Sequence, residues 1–306
     1  HQERHPLSAP HHPPVFSMDG NKTKEELQAE GWRFSGSATA DGRGNAAPAA
    51  RKRTGEHAYG AVGMDDEQAE GERLVGVVLQ NGRLAAEEVM DTMAVDGRVG
   101  VQAKGCSAIA ILAEKEEGRT ALLDLGAVFA VTKAMEALRH APAVQTSGCS
   151  ALGNLSLGDG AAEVIKSNGV DAVLAAMAAH PTQAPVQIKG CLALGNIGYG
   201  PEGEAAAVKK GAIGAIVAAL RAHTADATVA EEGCDALANL AAEVAGQRAL
   251  LEAEGPAVLA GVCAAHPKLQ TAREMLQAAQ EYERDQPLAG TPRAAPAPAA
   301  ADGQAA

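Results

Sequence analysis

The chain has 306 residues, a formal net charge of −12 and only seven aromatic residues in a composition that is 46% hydrophobic. Between Glu70 and Arg284, 26 acidic residues stand against 17 basic ones, a net −9. That balance argues against nucleic acid and against an anionic membrane surface, since affinity for phosphates comes from neutralising them. No apolar run reaches the ~18 residues a membrane-spanning helix needs, and a core poor in aromatics must be built from Ala, Val, Leu and Ile, which suits thin helices packed closely.

Residues 1–69 are rich in Pro, His, Gly and Ala with scattered charge, a composition that predicts disorder. The opening HQERHPLSAPHHPPVF has no apolar stretch of the secretory kind, and without an initiator Met it leaves a longer product open. Within this region TKEELQAEGWRF, from Thr23, reads as a short helix, and Arg51-Lys52-Arg53 is a nuclear-targeting candidate. The His-rich HPLSAPHHPP reads as nothing more than an adventitious metal binder.

From Glu70 onward a period near 43 organises the chain. Four segments align without gaps: VQAKGCSAIAIL from Val101, VQTSGCSALGNL from Val144, VQIKGCLALGNI from Val186 and VAEEGCDALANL from Val229. A fifth, LQTAREMLQAAQ from Leu269, is read as keeping the apolar pattern while losing the Gly-Cys pair. A second marker recurs in the same register: Gly82, Gly126, Gly169, Gly211 and Gly255, each expected to stop a short helix in the left-handed conformation.

Each unit therefore reads as three helices. A short first helix ends at the marker glycine, a second follows at once (VDAVLAAMAAH, Val170–His180), and a third starts near a proline such as Pro142 or Pro185. In the third helix apolar residues at offsets 0, 5, 8 and 11, as in Val186, Cys191, Leu194 and Ile197, make one helical face. Gly105, Gly148, Gly190 and Gly233 sit mid-helix, at roughly 1 kcal/mol each against Ala, so a neighbouring helix is expected too close for a side chain. In the last unit the same count lands on Arg273, as if the repeat ended there with a polar outer face. The domain reading is 70–284 as one helical array with units near 70–115, 116–158, 159–201, 202–243 and 244–284, and 285–306 as a disordered Pro/Ala tail.

A unit of about 42 residues with a glycine between its first two helices and a third helix of the form VQxxGCxALxNL resembles the armadillo repeat. The variant is similar to the armadillo region of leucine-rich-repeat kinases and to vacuolar-type armadillo scaffolds. The resemblance implies an all-α, right-handed solenoid of about five three-helix repeats, whose third helices line a concave face that binds an extended segment of another protein. It implies an asparagine near the end of each third helix that hydrogen-bonds the segment's backbone: Asn154, Asn196 and Asn239 here, with Ile111 and Ala279 at the same count in the outer units. The arithmetic agrees, because stacked helices lie roughly 8–10 Å apart and two residues of an extended chain span about 6.6 Å. Where nuclear-import adaptors of this family carry tryptophan four residues earlier, this chain has Ser107, Ser150, Leu192 and Asp235, which argues against recognition of nuclear localisation signals.

The expected partner-binding set is Asn154, Asn196, Asn239, Lys104, Lys189, Leu192, Tyr199, Glu231, Glu232 and Asp235, with the last three carboxylates on an exposed side able to attract a basic segment. No catalytic residue, metal, cofactor or small-molecule substrate is expected. The cysteines at offset 5 are on separate units and cannot converge on one ion at zinc spacing; they read as core. His140, His180, His223 and His266 recur near the ends of second helices and read as structural. GYGPEG (Gly198–Gly203) matches the dinucleotide fingerprint but follows a helix and contains Pro201, where the fingerprint needs a strand before it. The five cysteines, in no disulfide pattern, point to a reducing compartment, cytoplasm or nucleus. The reading is a non-catalytic interaction scaffold; its alternative is the regulatory segment of a larger kinase or ubiquitin ligase.

Overall fold

The computed structural model describes residues 82–286, which form fourteen α-helices and no strand. Expectations that fall elsewhere, including the disordered N-terminal region, the Thr23 helix, the first helix of the first unit and the Pro/Ala tail, lie outside the described residues. The helices are α1 (Gly82–Val95), α2 (Val99–Ala113), α3 (Glu116–Asp124), α4 (Ala127–Ala137), α5 (Pro142–Leu155), α6 (Gly160–Lys166) and α7 (Gly169–Ala179). They continue with α8 (Ala184–Ile197), α9 (Pro201–Lys209), α10 (Ala212–Ala222), α11 (Ala227–Leu240), α12 (Val244–Glu252), α13 (Gly255–Ala265) and α14 (Gln270–Asp285). After α1 and α2 the order short, medium, long repeats four times. Two compact units contain them, one up to Ala172 and one from Val173, the division falling inside α7.

In the first unit the long helices α2 and α5 pack along each other, with α1 and α4 behind them. In the second, α8 packs on α11 and α11 on α14, backed by α10 and α13. The apolar offsets hold in the four aligned segments: Val101, Cys106, Ile109 and Leu112, and their counterparts down to Val229, Cys234, Leu237 and Leu240, are all buried. Pro142 and Pro185 fall in the first turns of α5 and α8, where a missing N–H does no harm.

Two features of the repeat differ from the sequence reading, and the close neighbour it expects at the mid-helix glycines is identified. The left-handed stop is taken by Gly126 (φ 75°) and Gly211 (φ 89°), but in the other two joints by the preceding residue, Asn168 (φ 61°) and Glu254 (φ 59°). Gly169 and Gly255 instead begin the next helix, where a Cβ would press on Val164 and Leu250. The mid-helix glycines make room for a side chain of their own repeat's second helix. A Cβ on Gly148 or Gly190 would stand 2.5 Å from Cγ of Met135 or Met177, and one on Gly233 2.7 Å from Leu220 Cδ2; Gly105 meets Met93 in the same way. And α14 does not follow the register counted from Leu269: Glu274, Gln277 and Gln280, its offsets 5, 8 and 11, are exposed, while Ala272, Met275 and Ala279 are buried. A start at Thr271 puts the buried Ala279 at offset 8 and the half-buried Leu276 and Tyr282 at offsets 5 and 11, so Arg273 is not the counterpart of the mid-helix glycines.

Other recurrences fasten the repeat. Gln102, Gln145 and Gln187, second residues of the aligned segments, turn back to the end of the preceding helix. Gln145 Nε2 donates to Met135 O (2.9 Å) and Leu138 O (3.0 Å), and Gln187 Nε2 to Met177 O and His180 O (both 2.9 Å). In the fourth repeat Ala230 replaces that glutamine, and Thr224 Oγ1 donates to Leu220 O instead (3.0 Å). Gly118, Gly160, Gly203 and Gly246 each lie over the last carbonyls of the preceding long helix, those of Leu112, Leu155, Ile197 and Leu240, so closely that no Cβ fits.

Candidate functional site: the third-helix face

In the second unit α8 and α11 approach closely because two glycines allow it. A Cβ on Gly195 would stand 3.1 Å from Ala236 Cα, and one on Gly198 would collide with the Leu240 side chain. At this narrowest point Asn239 Nδ2 donates to Gly195 O (3.1 Å), 44 residues earlier. The first unit repeats the device: Asn154 Nδ2 donates to Ala110 O (2.9 Å). The resemblance implies that these amides bond a partner's backbone; in Asn154 and Asn239 one N–H instead ties neighbouring long helices. Their amide oxygens accept nothing from the described residues, and both asparagines are half-buried.

The remaining predicted residues separate by exposure. Asn196 and Leu192 are each only 8% exposed, so Leu192 belongs to the packing rather than to an open face. Lys104, in the first unit, and Lys189 are half-buried, and Tyr199 is 60% exposed at the end of α8. Of the three carboxylates expected on an exposed side, only Glu231 is exposed; Glu232 and Asp235 are half-buried. Glu232 is pushed up to about 6, first by burial and then by the charges of Asp235 and Glu231, against the pull of Lys189 across on α8. Lys189 on α8 with Glu231, Glu232, Asp235 and Asn239 on α11 form a polar row that is rich in acceptors.

The cysteines are core: Cys106, Cys149, Cys191 and Cys234 are buried, and burial pushes the thiols of Cys106, Cys149 and Cys234 up to about 12. Among the described residues no group of three His, Cys, Asp or Glu side chains could hold a metal ion, and no helix is long and apolar enough to cross a membrane. Two of the histidines link neighbouring repeats: His223 Nε2 lies 2.7 Å from Pro181 O and His266 Nε2 2.9 Å from Thr224 O. Each of the glycines of GYGPEG has a backbone or packing reason. Gly198 faces Leu240, Gly200 takes φ 114°, and Gly203 lies on the Ile197 carbonyl, around Pro201 at the first turn of α9.

Sequence reasoning missed three things. The glutamine clamps and the second glycine series recur at the same period and were readable from it. An open groove of about 440 Å³ where Glu231 and Ala227 of α11 meet His266, Lys268 and Leu269 was not, because spacing does not give the side-chain placement that leaves it open.

An all-helical array of this kind has solved counterparts. Two engineered proteins superpose on the chain: one with TM-score 0.58 at 23% identity, covering 71% of this chain and 91% of its own, the other with 0.59 at 20%, covering 72% and 95%. A designed armadillo repeat protein in complex with the peptide (KR)4 gives 0.57 at 19%, covering 71% and 94%. The fold is that of the armadillo repeat, as the VQxxGCxALxNL pattern implied. No protein-family model matches the chain, and no curated protein does.

Proposed function

We propose that the chain is a protein-binding scaffold, and that the α8–α11 face holds an extended segment of another protein. The observation that carries this reading is the row of Lys189, Glu231, Asp235 and Asn239 on two long helices tied by the Asn239–Gly195 hydrogen bond, with Tyr199 exposed in the turn after α8, in a fold whose designed counterpart is in complex with a peptide. Lys104 and Asn154 take the same place on α2 and α5 of the first unit. Acceptors dominate the row. Glu232, crowded by two carboxylates and answered by one lysine, gains from a further cation, so a segment bearing Lys or Arg fits better than an acidic one.

The test is fluorescence anisotropy of a labelled Lys-Arg repeat peptide against the full chain, with a Glu-Asp repeat of equal length as control. Binding of the basic peptide that weakens with salt and falls roughly tenfold or more in Glu231→Lys/Asp235→Lys, a loss of about 1.4 kcal/mol, is the expected result. Equal affinity for both peptides, or an affinity untouched by the charge reversal, overturns the acidic-row reading. Unchanged binding in Asn239→Ala at matched stability removes the asparagine from it.

A further inference from the structure

We infer that Asn168 is a site of spontaneous deamidation through a cyclic imide with Gly169. Four asparagines stand among the described residues. Asn154, Asn196 and Asn239 lie inside long helices and are followed by Leu155, Ile197 and Leu240. Their next backbone nitrogens belong to the helical ladder, and branched side chains shield them. Asn168 differs in every respect. It is exposed, it takes φ 61° in the joint between α6 and α7, and its side-chain amide pairs with no described residue. The next residue is glycine, so no side chain of its own stands over the attacking nitrogen, and although Gly169 is buried against Val164 its N–H, first in α7, donates to no acceptor among the described residues.

The chemistry needs only water. The Gly169 nitrogen attacks Asn168 Cγ, the Cγ–Nδ2 bond breaks, and ammonia leaves with the proton that the glycine nitrogen held. Water then adds to one or the other carbonyl of the five-membered imide. One opening restores the chain with aspartate; the other routes the backbone through the side-chain carboxyl as isoaspartate. Bringing nitrogen and Cγ together requires rotation within the joint, which disturbs one terminal hydrogen bond of α7, Ala172 N to Asn168 O (3.0 Å).

The two products differ in consequence. Aspartate at the position preceding α7 is a good helix-start residue beside the positive end of the helix. Isoaspartate adds a backbone atom in a joint where Gly169 is already in tight contact with Val164 Cγ1 (2.5 Å from an added Cβ).

The full chain, held at mildly alkaline pH and physiological temperature, is digested and its peptides weighed over time. The mass gain of amide-to-acid exchange is expected at Asn168 at least roughly tenfold faster than at Asn154, Asn196 and Asn239, a barrier difference of about 1.4 kcal/mol. Methylation by an isoaspartyl methyltransferase should mark the same peptide, and Asn168→Gln should abolish both signals there. Equal rates at the four asparagines, or an Asn168 peptide unchanged while any of the other three gains mass, overturns the inference. So does mass gain without methylation, which would indicate direct hydrolysis in place of the imide.

Discussion

Two residues carry a backbone conformation their side chains disfavour, and their neighbours show how it could be relieved. Gly126 and Gly211 stand at the same joint with nothing within 4 Å of an added Cβ, so their role is conformational freedom alone. Gly126→Ala is expected to lower stability by about 1 kcal/mol, and Glu254→Gly to raise it by roughly 0.5 kcal/mol. The second gain is smaller because glycine also loosens the unfolded chain; the exposed Arg221 pair that Glu254 gives up is worth little. Urea midpoints at constant slope check both. Glu232 offers a second test. Its folded pKa is raised to about 6 from 4.5, so its neutral form favours the fold, and that stability is present below about 4.5 and lost as pH rises through 6. Glu232→Gln should therefore stabilise the chain at pH 8 by something near 1 kcal/mol, after allowance for its partial exposure, and make no difference at pH 4. A constant effect across that range would show that packing, not charge, is responsible.

At the scale of helices, the pairing of a mid-helix glycine with a methionine on the preceding helix is the recurring contact. Gly148→Ala should cost about 2 kcal/mol, since overfilled packing typically costs 1–3, and Met135→Ala in the same chain should recover part of it. A double-mutant cycle read by thermal or urea unfolding measures the coupling; additivity would mean that the glycine serves some other neighbour. This contact also marks where the sequence could be read and where it could not. Period, helix type and the buried offsets of four long helices follow from spacing, because each repeat solves the same packing problem with the same residues. The identity of the close neighbour does not, because glycine reports only that something is near. The register of α14 was misread for a related reason: with no Gly-Cys pair to anchor it, Leu269 was a plausible start, and only burial shows that Ala272, Met275 and Ala279 face inward. The asparagines were located from sequence and their geometry was not, since an amide at the edge of a groove can turn toward a guest or toward the next helix. Asn154 and Asn239 turn one N–H toward the next helix.

At the scale of the molecule, similar packing units succeed one another, and within the second compact unit neighbours are fastened by polar ties as well as by apolar contact: Asn239 to Gly195, His266 to Thr224, and Glu204 Oε1 accepting from Glu243 N (2.8 Å). In such arrays stability is approximately a sum over units and their junctions. A weakened junction should therefore open locally before the whole unfolds. Hydrogen exchange on Gly148→Ala is expected to speed up in α4 and α5 well before α11 and α14 respond. Uniform acceleration along the chain would show instead that the array unfolds as one cooperative block.

The buried thiols give that behaviour a built-in readout. Cys106, Cys149, Cys191 and Cys234 each sit at the centre of a different long helix, and burial holds Cys106, Cys149 and Cys234 far from the reactive thiolate form. Cys263 alone is partly accessible. A mild alkylating reagent should thus modify the native chain once, at Cys263, and reach the other four one breathing event at a time. The order in which they are capped would chart, helix by helix, how this chain comes apart.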